Sequence, residues 1–452
     1  MKILMRKFTK LLRWKWWLGV LVVVALAIWS VNGVEVYKEL AEEKKPLEPV
    51  SLVSGQVSQL ATDEFGAYNM LILDDESIFL AGDNRDVGGQ DFRLVKLNSN
   101  FRLDKSFADG GIVEVDLGGT GDTAFTQIIQ KDGKILTAGN TNVNGNVDFA
   151  FVRFLADGSL DETFGNIGKV IVDFAGRDDG VYTMVELSDG RILAGGGASG
   201  PMFGDFGLVR LNSDGSLDES FGDSGKVTVD FGQREEFIVS LSVLPDGDII
   251  AVGNSRKGRI AITRLNSDGS LDNSFGDGGK VAVAVKGAPT SALIDDSGRI
   301  IVGGWSLDGL VLARFLANGN LDASFGDGGK VSKTVGKAFG LAFEPDGKIF
   351  VAGEVDLGTG KNIDIFLSRY TQDGKLDENF GDNGTLIADF DSTSNTLSGL
   401  RINPNGKILV GVTTQKNGFT KHGVVQISAG KNVENVKFNL DEEPSKDIKP
   451  VK

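Results

Sequence analysis

The chain has 452 residues, a formal net charge of -15, 62 glycines, 9 prolines, a single histidine and no cysteine. The missing cysteines exclude a disulfide framework and thiolate chemistry, and one histidine, His422, excludes histidine-rich metal sites and histidine-based triads. Glycine at this density without a three-residue period suits tight turns rather than a collagen helix.

Residues 1–15 are basic, with Lys2, Arg6, Lys7, Lys10, Arg13 and Lys15 preceding an apolar run that starts at Trp16. The run over 16–36 is expected to form a transmembrane signal-anchor helix. Its basic flank leads and Glu35, Glu39, Glu42 and Glu43 follow, so the positive-inside rule places residues 1–15 in the cytoplasm and the rest outside. A cleaved signal peptide is the rival reading, with Ala25-Leu26-Ala27 as an acceptable cleavage site. Either reading exports the body, to the periplasm or cell surface or as a secreted protein. Residues 37–54 read as a charged linker in which Pro46 and Pro49 prevent a continuous helix. Residues 429–452 read as a disordered charged tail. The first fifty residues carry +4 and the tail carries no net charge, which leaves -19 for the body. A body that acidic repels nucleic acid, which is set aside as a partner.

The body, 55–428, is a repeat. A Leu-Asp-x-x-Phe segment recurs at Leu103-Asp104, Leu160-Asp161, Leu217-Asp218, Leu271-Asp272, Leu321-Asp322 and Leu376-Asp377, each spaced 50 to 57 residues from the last. A turn leading to an apolar run that ends in glycine recurs seven times, over 76–82, 133–139, 190–195, 247–253, 298–303, 347–353 and 406–411. An alternating run also recurs seven times, and so does a short Gly-Lys-Val type strand, whose earliest copy is 56–61. In the unit 168–221, four short strands are separated by turns such as Ser188-Asp189-Gly190, and no helical period extends over ten residues. Four short strands repeated at this interval mark a propeller blade. The expected fold is all-β, a closed seven-bladed β-propeller. Residues 56–61 are expected to supply the outer strand that the last unit lacks, and so to close the ring by hydrogen bonds.

Each alternating strand carries a base at one fixed place: Lys96, Arg153, Arg210, Arg264, Arg314 and Arg369. The seventh unit has Gln426 there and lacks the Leu-Asp segment. Each base is therefore expected to pair with the aspartate of its own repeat (Asp104, Asp161, Asp218, Asp272, Asp322 and Asp377) as a structural clip. The alternative is a solvated base at a strand end.

The stretches Leu217-Asp218-Glu219-Ser220-Phe221-Gly222, with Gly225-Lys226-Val227, and Asp346-Gly347-Lys348-Ile349 resemble the delta-60 repeat, a bacterial repeat of about this length. The resemblance spans most of 55–428 and departs in the first unit, where Asp75-Glu76-Ser77 stands in place of Asp-Gly-Lys. It implies a propeller-like, exported or surface protein, and it implies no catalytic residues.

One position per inner strand, aligned on the turn glycine, reads Asn69, Thr126, Thr183, Ser240, Ser291, Gly340 and Gly399. A ring of small polar groups in an axial channel, with Arg401 nearby on the last inner strand, is the expected ligand-binding site. The alternative is that small residues are what fits where strands converge. The turn Asn212-Ser213-Asp214-Gly215 with Asp218 and Asp223 offers oxygen ligands for calcium, without the spacing of an EF-hand; turn chemistry explains it equally, and no metal or other cofactor is assigned. No catalytic residue is singled out. The function expected is a membrane-anchored, extracytoplasmic scaffold that binds a polysaccharide or protein without catalysis. The alternative is a propeller hydrolase or lyase acting on sugars or lactones, with calcium as a possible requirement. A binder should gather its irregular loops, 140–148, 197–205 and 354–364, on one face.

Overall fold

The computed structural model describes residues 52–54 and 66–428, apart from 85–89, 101, 144, 175, 177, 199–203, 233–234, 257, 286, 334–335, 357–362, 390–393, 403–406 and 417–418. The segments 1–15, 16–36 and 429–452, and the strand expected over 56–61, lie outside the described residues. Among those described, no helix is long and apolar enough to cross a membrane.

Every named element is a β-strand. Blade three shows the pattern: Gly180–Glu186, Ile192–Ala198, Asp205–Leu211 and Lys226–Val229 pair in sequence order, antiparallel throughout. Six sheets of this order form, five of four strands and the sixth with one strand added, on inner strands Gly66–Ile72, Thr123–Ile129, Gly180–Glu186, Phe237–Val243, Gly287–Ile294 and Lys337–Phe343. Each inner strand is paired on one side only and packs beside the inner strands of its neighbours, so its free edge faces the axis.

The expectation of a closed seven-bladed propeller is corrected here to six blades. The last sheet has three strands, Ser394–Ile402, Lys407–Lys416 and Phe419–Ser428. The N-terminal strand Leu52–Ser54 does not add to it. It runs parallel to Thr385–Asp389 as a fifth strand on blade six. This C-terminal sheet meets blade one through side-chain packing, with Leu409 and Val424 against Met70, Ile72 and Ile78, and through Arg401, which donates to the Ile72 carbonyl and pairs with Asp74.

The core lies between blades. One cluster combines Leu193, Phe206, Leu208 and Phe221 of blade three with Ile238, Leu241, Ile249 and Ala251 of blade four. A blade is apolar on both faces, so its strands read as near-continuous apolar runs, and Ile192–Ala198 is buried throughout. In blades two to six, one glycine of the second strand has a specific task. A Cβ on Gly196 would overlap the Gly180 carbonyl oxygen of the inner strand, and Gly139 and Gly353 stand equally close to Thr123 and Lys337. At that point every inner strand carries a register shift, as between Val181 and Thr183. Glycine is thus required where the bulge brings two backbones together.

Candidate functional site

We define the upper face as the end at which the chain enters each inner strand. Antiparallel order then sends the connections between second and third strands to the upper face, together with those from each outer strand to the next inner strand. Of the irregular loops, the described residues 142–143, 145–147 and 204 lie in connections of the first kind and so belong to the upper face, while 199–203 and 357–362 lie outside the described residues. The lower face is built from the regular Asp-Gly turns and the Leu-Asp segments.

On the lower face, all six bases reach the aspartate of their own repeat. Nitrogen-to-oxygen distances are 2.9 Å for Lys96–Asp104, 2.8 Å for Arg153–Asp161, 2.7 Å for Arg210–Asp218, 3.1 Å for Arg264–Asp272, 2.8 Å for Arg314–Asp322 and 3.0 Å for Arg369–Asp377. The other carboxylate oxygen closes an Asx turn: Asp218 Oδ1 accepts from the Ser220 N–H at 3.0 Å and the Ser220 hydroxyl at 2.6 Å. Burial alone would raise the Asp218 carboxyl, but donors on Ser220, Arg191 and Arg210 outweigh it and hold the group well below the usual carboxylate range. The arginines also reach forward. Arg153 donates to the Ser213 carbonyl, Arg210 to that of Ser267 and Arg314 to that of Gln372, each in the following blade. Backbone bonds do the same, as from Gly165 N–H to the Asp214 carbonyl at 2.7 Å and from Gly222 N–H to the Asp268 carbonyl at 2.8 Å.

The turn considered for calcium belongs to this machinery. Asp214 Oδ1 accepts from the Ser216 N–H and hydroxyl at 2.9 and 2.7 Å, and Asp218 is engaged in the clip. Three carboxylate groups with metal-ligating proximity occur elsewhere, on the upper face: Asp91 with Asp116 and Asp122, Asp148 with Asp173 and Asp179, and Asp205 with Asp230 and Glu236, the oxygens of each lying within 4.8 Å of one another. They recur at one position in blades one to three. Each includes a carboxylate that holds the loop before it: Asp122 accepts the Leu117 N–H at 2.8 Å, Asp179 that of Phe174 at 2.7 Å and Glu236 that of Phe231 at 2.7 Å. Burial raises the Asp122 carboxyl above its ordinary value; burial and then the Asp230 charge raise that of Asp205. Such groups could take a divalent cation, and they also serve as loop clamps. The sequence reading missed them because their members are separated by a strand and a loop. The signal was an aspartate after each of the first three outer strands and an acid six residues later.

At the inner-strand position expected to line the channel, Thr126 is buried and Asn69, Thr183, Ser240 and Ser291 are half-buried. The Ser240 hydroxyl donates to the Ala292 carbonyl of the next blade at 3.4 Å. A Cβ at Gly340 would meet Leu400 and Leu397 of the C-terminal sheet, and one at Gly399 the Met70 carbonyl of blade one. At these places the position faces the neighbouring inner strand. Arg401 is at the lower end, donating to the Ile72 carbonyl and pairing with Asp74. The residues just before this position are the bulge residues, and four are aromatic: Tyr68, Phe125, Tyr182 and, in blade six, Phe339. The rings of the first three follow one another at 5.3 and 5.8 Å, and Phe237 continues the series 5.6 Å from Tyr182. Tyr68, Phe125, Tyr182 and Phe237 are half-buried and lie toward the upper end of their strands. Blades one to four thus present an aromatic arc at one mouth of the axis. Period-two reasoning could not find it, since a bulge breaks that period.

Five stretches, 130–164, 187–221, 244–275, 296–325 and 344–380, match a family described as a domain of unknown function (DUF5122) beta-propeller. None of the curated proteins compared with the chain matches it. Among solved structures, Sqt1 from Chaetomium thermophilum is 12% identical, with a TM-score of 0.47, covering 81% of this chain and 99% of its own. A protein from Lactobacillus plantarum is 11% identical with a TM-score of 0.45, covering 78% and 97%. A protein of unknown function from Bacteroides caccae is 14% identical with a TM-score of 0.39, covering 66% and 94%. The chain is a β-propeller repeat protein.

Proposed function

We propose that this β-propeller is a non-catalytic binding scaffold of the extracytoplasmic space, built from repeats of the delta-60 type and kept at the membrane by its N-terminal apolar segment. The observation that carries the binding reading is the division of labour between the two faces. The lower face repeats one clip and one turn from blade to blade, as structural parts do. The upper face holds connections between second and third strands that depart from the repeat, as at 142–143 and 145–147, and surface loops on a rigid frame are where recognition is placed. The carboxylate groups recur once per blade in three successive blades, which supports a structural duty over a single catalytic centre. The six bases before residue 16 support export.

The test is to screen the purified full chain against arrays of glycans and of peptides, in parallel with a variant in which the connection between Thr141 and Asp148 is replaced by a two-residue hairpin turn. Binding that the variant loses at unchanged melting temperature supports the upper face as the recognition surface. Binding that every upper-face variant retains would move recognition elsewhere. Fractionation of cells with protease accessibility tests the location.

A further inference from the structure

We propose that the aromatic arc of Tyr68, Phe125, Tyr182 and Phe237 is a saccharide-binding platform that takes an uncharged sugar ring at the upper mouth of the axis. The inference rests on the binding reading above and names its site and ligand class.

Three features converge on that chemistry. First, the rings form a continuous run across four blades, at 5.3, 5.8 and 5.6 Å between centroids, and successive rings are tilted by 55 to 62°. They remain half-buried, so each keeps part of its surface accessible. In three of the four blades the aromatic sits on the bulge itself. Bulges re-aim side chains, and the glycines Gly139 and Gly196 opposite two of them make the bulge possible. Second, the inner strands are paired on one side only. Their free edges bring backbone N–H and carbonyl groups beside the rings. Apolar faces next to a few polar groups are what a pyranose, with its apolar C–H face and its rim of hydroxyls, requires. Third, the platform is uncharged. The four inner strands that carry it contain one charged residue, Glu186, and its carboxylate accepts the Lys131 N–H at the lower end. A charged ligand would lose its hydration here with no counter-charge from these strands; a neutral one meets no such cost.

The arc is distinct from the acidic groups outside it. Those clamp loops through backbone N–H groups, and the inference does not use them.

The experiment titrates the full chain with neutral hexasaccharides (cello-, malto-, xylo- and chito-oligosaccharide), following tyrosine fluorescence and calorimetric heat. Saturable binding of at least one sugar is expected. Phe125→Ala should weaken it at least tenfold with the melting temperature within a few degrees of the parent. Tyr68→Phe and Tyr182→Phe, which keep the rings, should bind as the parent does, and they keep the test valid if an alanine variant fails to fold. Glu186→Gln should leave binding unchanged. Sugar binding that Phe125→Ala and Tyr68→Ala both retain would overturn the arc as the site while leaving the scaffold function intact. Binding of peptides at the upper face with no response to any of the four sugars would overturn the ligand class alone. Silence toward every sugar and every peptide would overturn this inference together with the binding reading on which it rests.

Discussion

Arg210 Nε and Asp218 Oδ2 stand 2.7 Å apart, with both side chains less than one-tenth exposed. The guanidinium also lies over the Phe221 ring, 4.5 Å from its centroid, and the same stacking recurs at Arg153 on Phe164 and Arg314 on Phe325. Leucine, aspartate and phenylalanine are thus one device. Leu217 packs into the core between blades two and three, Asp218 holds the turn and the base, and Phe221 floors the guanidinium.

Removing one partner of such a buried pair strands the other charge. Arg210→Gln should lower stability by about 3–5 kcal/mol, read as a shift of the chemical denaturation midpoint. The same change at Arg264, whose side chain is 20% exposed and shared among Asp246, Asp248 and Asp272, should cost less. Equal losses at the two sites would argue against burial as the source of the effect.

Acid should dismantle the clips together. The carboxyls of Asp161, Asp218, Asp322 and Asp377 are all held below their ordinary value. A depressed folded-state value contributes stability that is complete above the unfolded value and is lost as pH falls through the folded one. Urea midpoints should therefore drop steeply as pH falls below about 4. A flat profile between pH 4 and pH 2 would contradict the clip as a source of stability.

Glu354 has the opposite sign. Burial pushes its carboxyl up to about 7, against the nearby Lys337 charge and a hydrogen bond from the Leu397 backbone. The folded state favours the protonated form, so this residue makes the protein less stable as pH rises from about 4.5 to 7. Glu354→Gln keeps an acceptor for the Leu397 N–H and removes the charge. It should flatten that part of the profile and raise stability at pH 8 by on the order of 3 kcal/mol. A variant less stable than its parent at pH 8 would show that the charge itself is needed.

Two glycines separate backbone conformation from space. Gly133 has a φ of +85° and open surroundings, so alanine there should cost about 1 kcal/mol through its left-handed backbone alone. A Cβ at Gly196 would collide with the Gly180 carbonyl, so alanine there must disturb the bulge. Its thermal unfolding should fall well below that of Gly133→Ala, and sugar binding at Tyr182, on the facing strand, should weaken with it.

The blades were legible because their parts are local: an Asp-Gly turn, an alternating strand, and a base and an acid eight residues apart. The pairing of the chain's ends was not. Residues 56–61 look like an outer strand by composition, yet the described contact is made by Leu52–Ser54 on blade six, and composition does not encode which edge a short strand meets. The position read as the channel ring was one residue away from the rings of Tyr68, Phe125 and Tyr182. Strand alternation assigned every second residue to one face, and the bulge between Val181 and Thr183 shifts that count at Tyr182.

The forward reach of the clips gives the ring a direction. Arg153 ends on Ser213, Arg210 on Ser267 and Arg314 on Gln372, always in the blade that comes later in the chain. A blade leaving the ribosome is consequently unfinished until the next repeat has followed it, some fifty residues later. Completion should thus travel from the first blade towards the last, and a chain cut between repeats should leave its final blade with guanidinium groups that have no carbonyl to grasp.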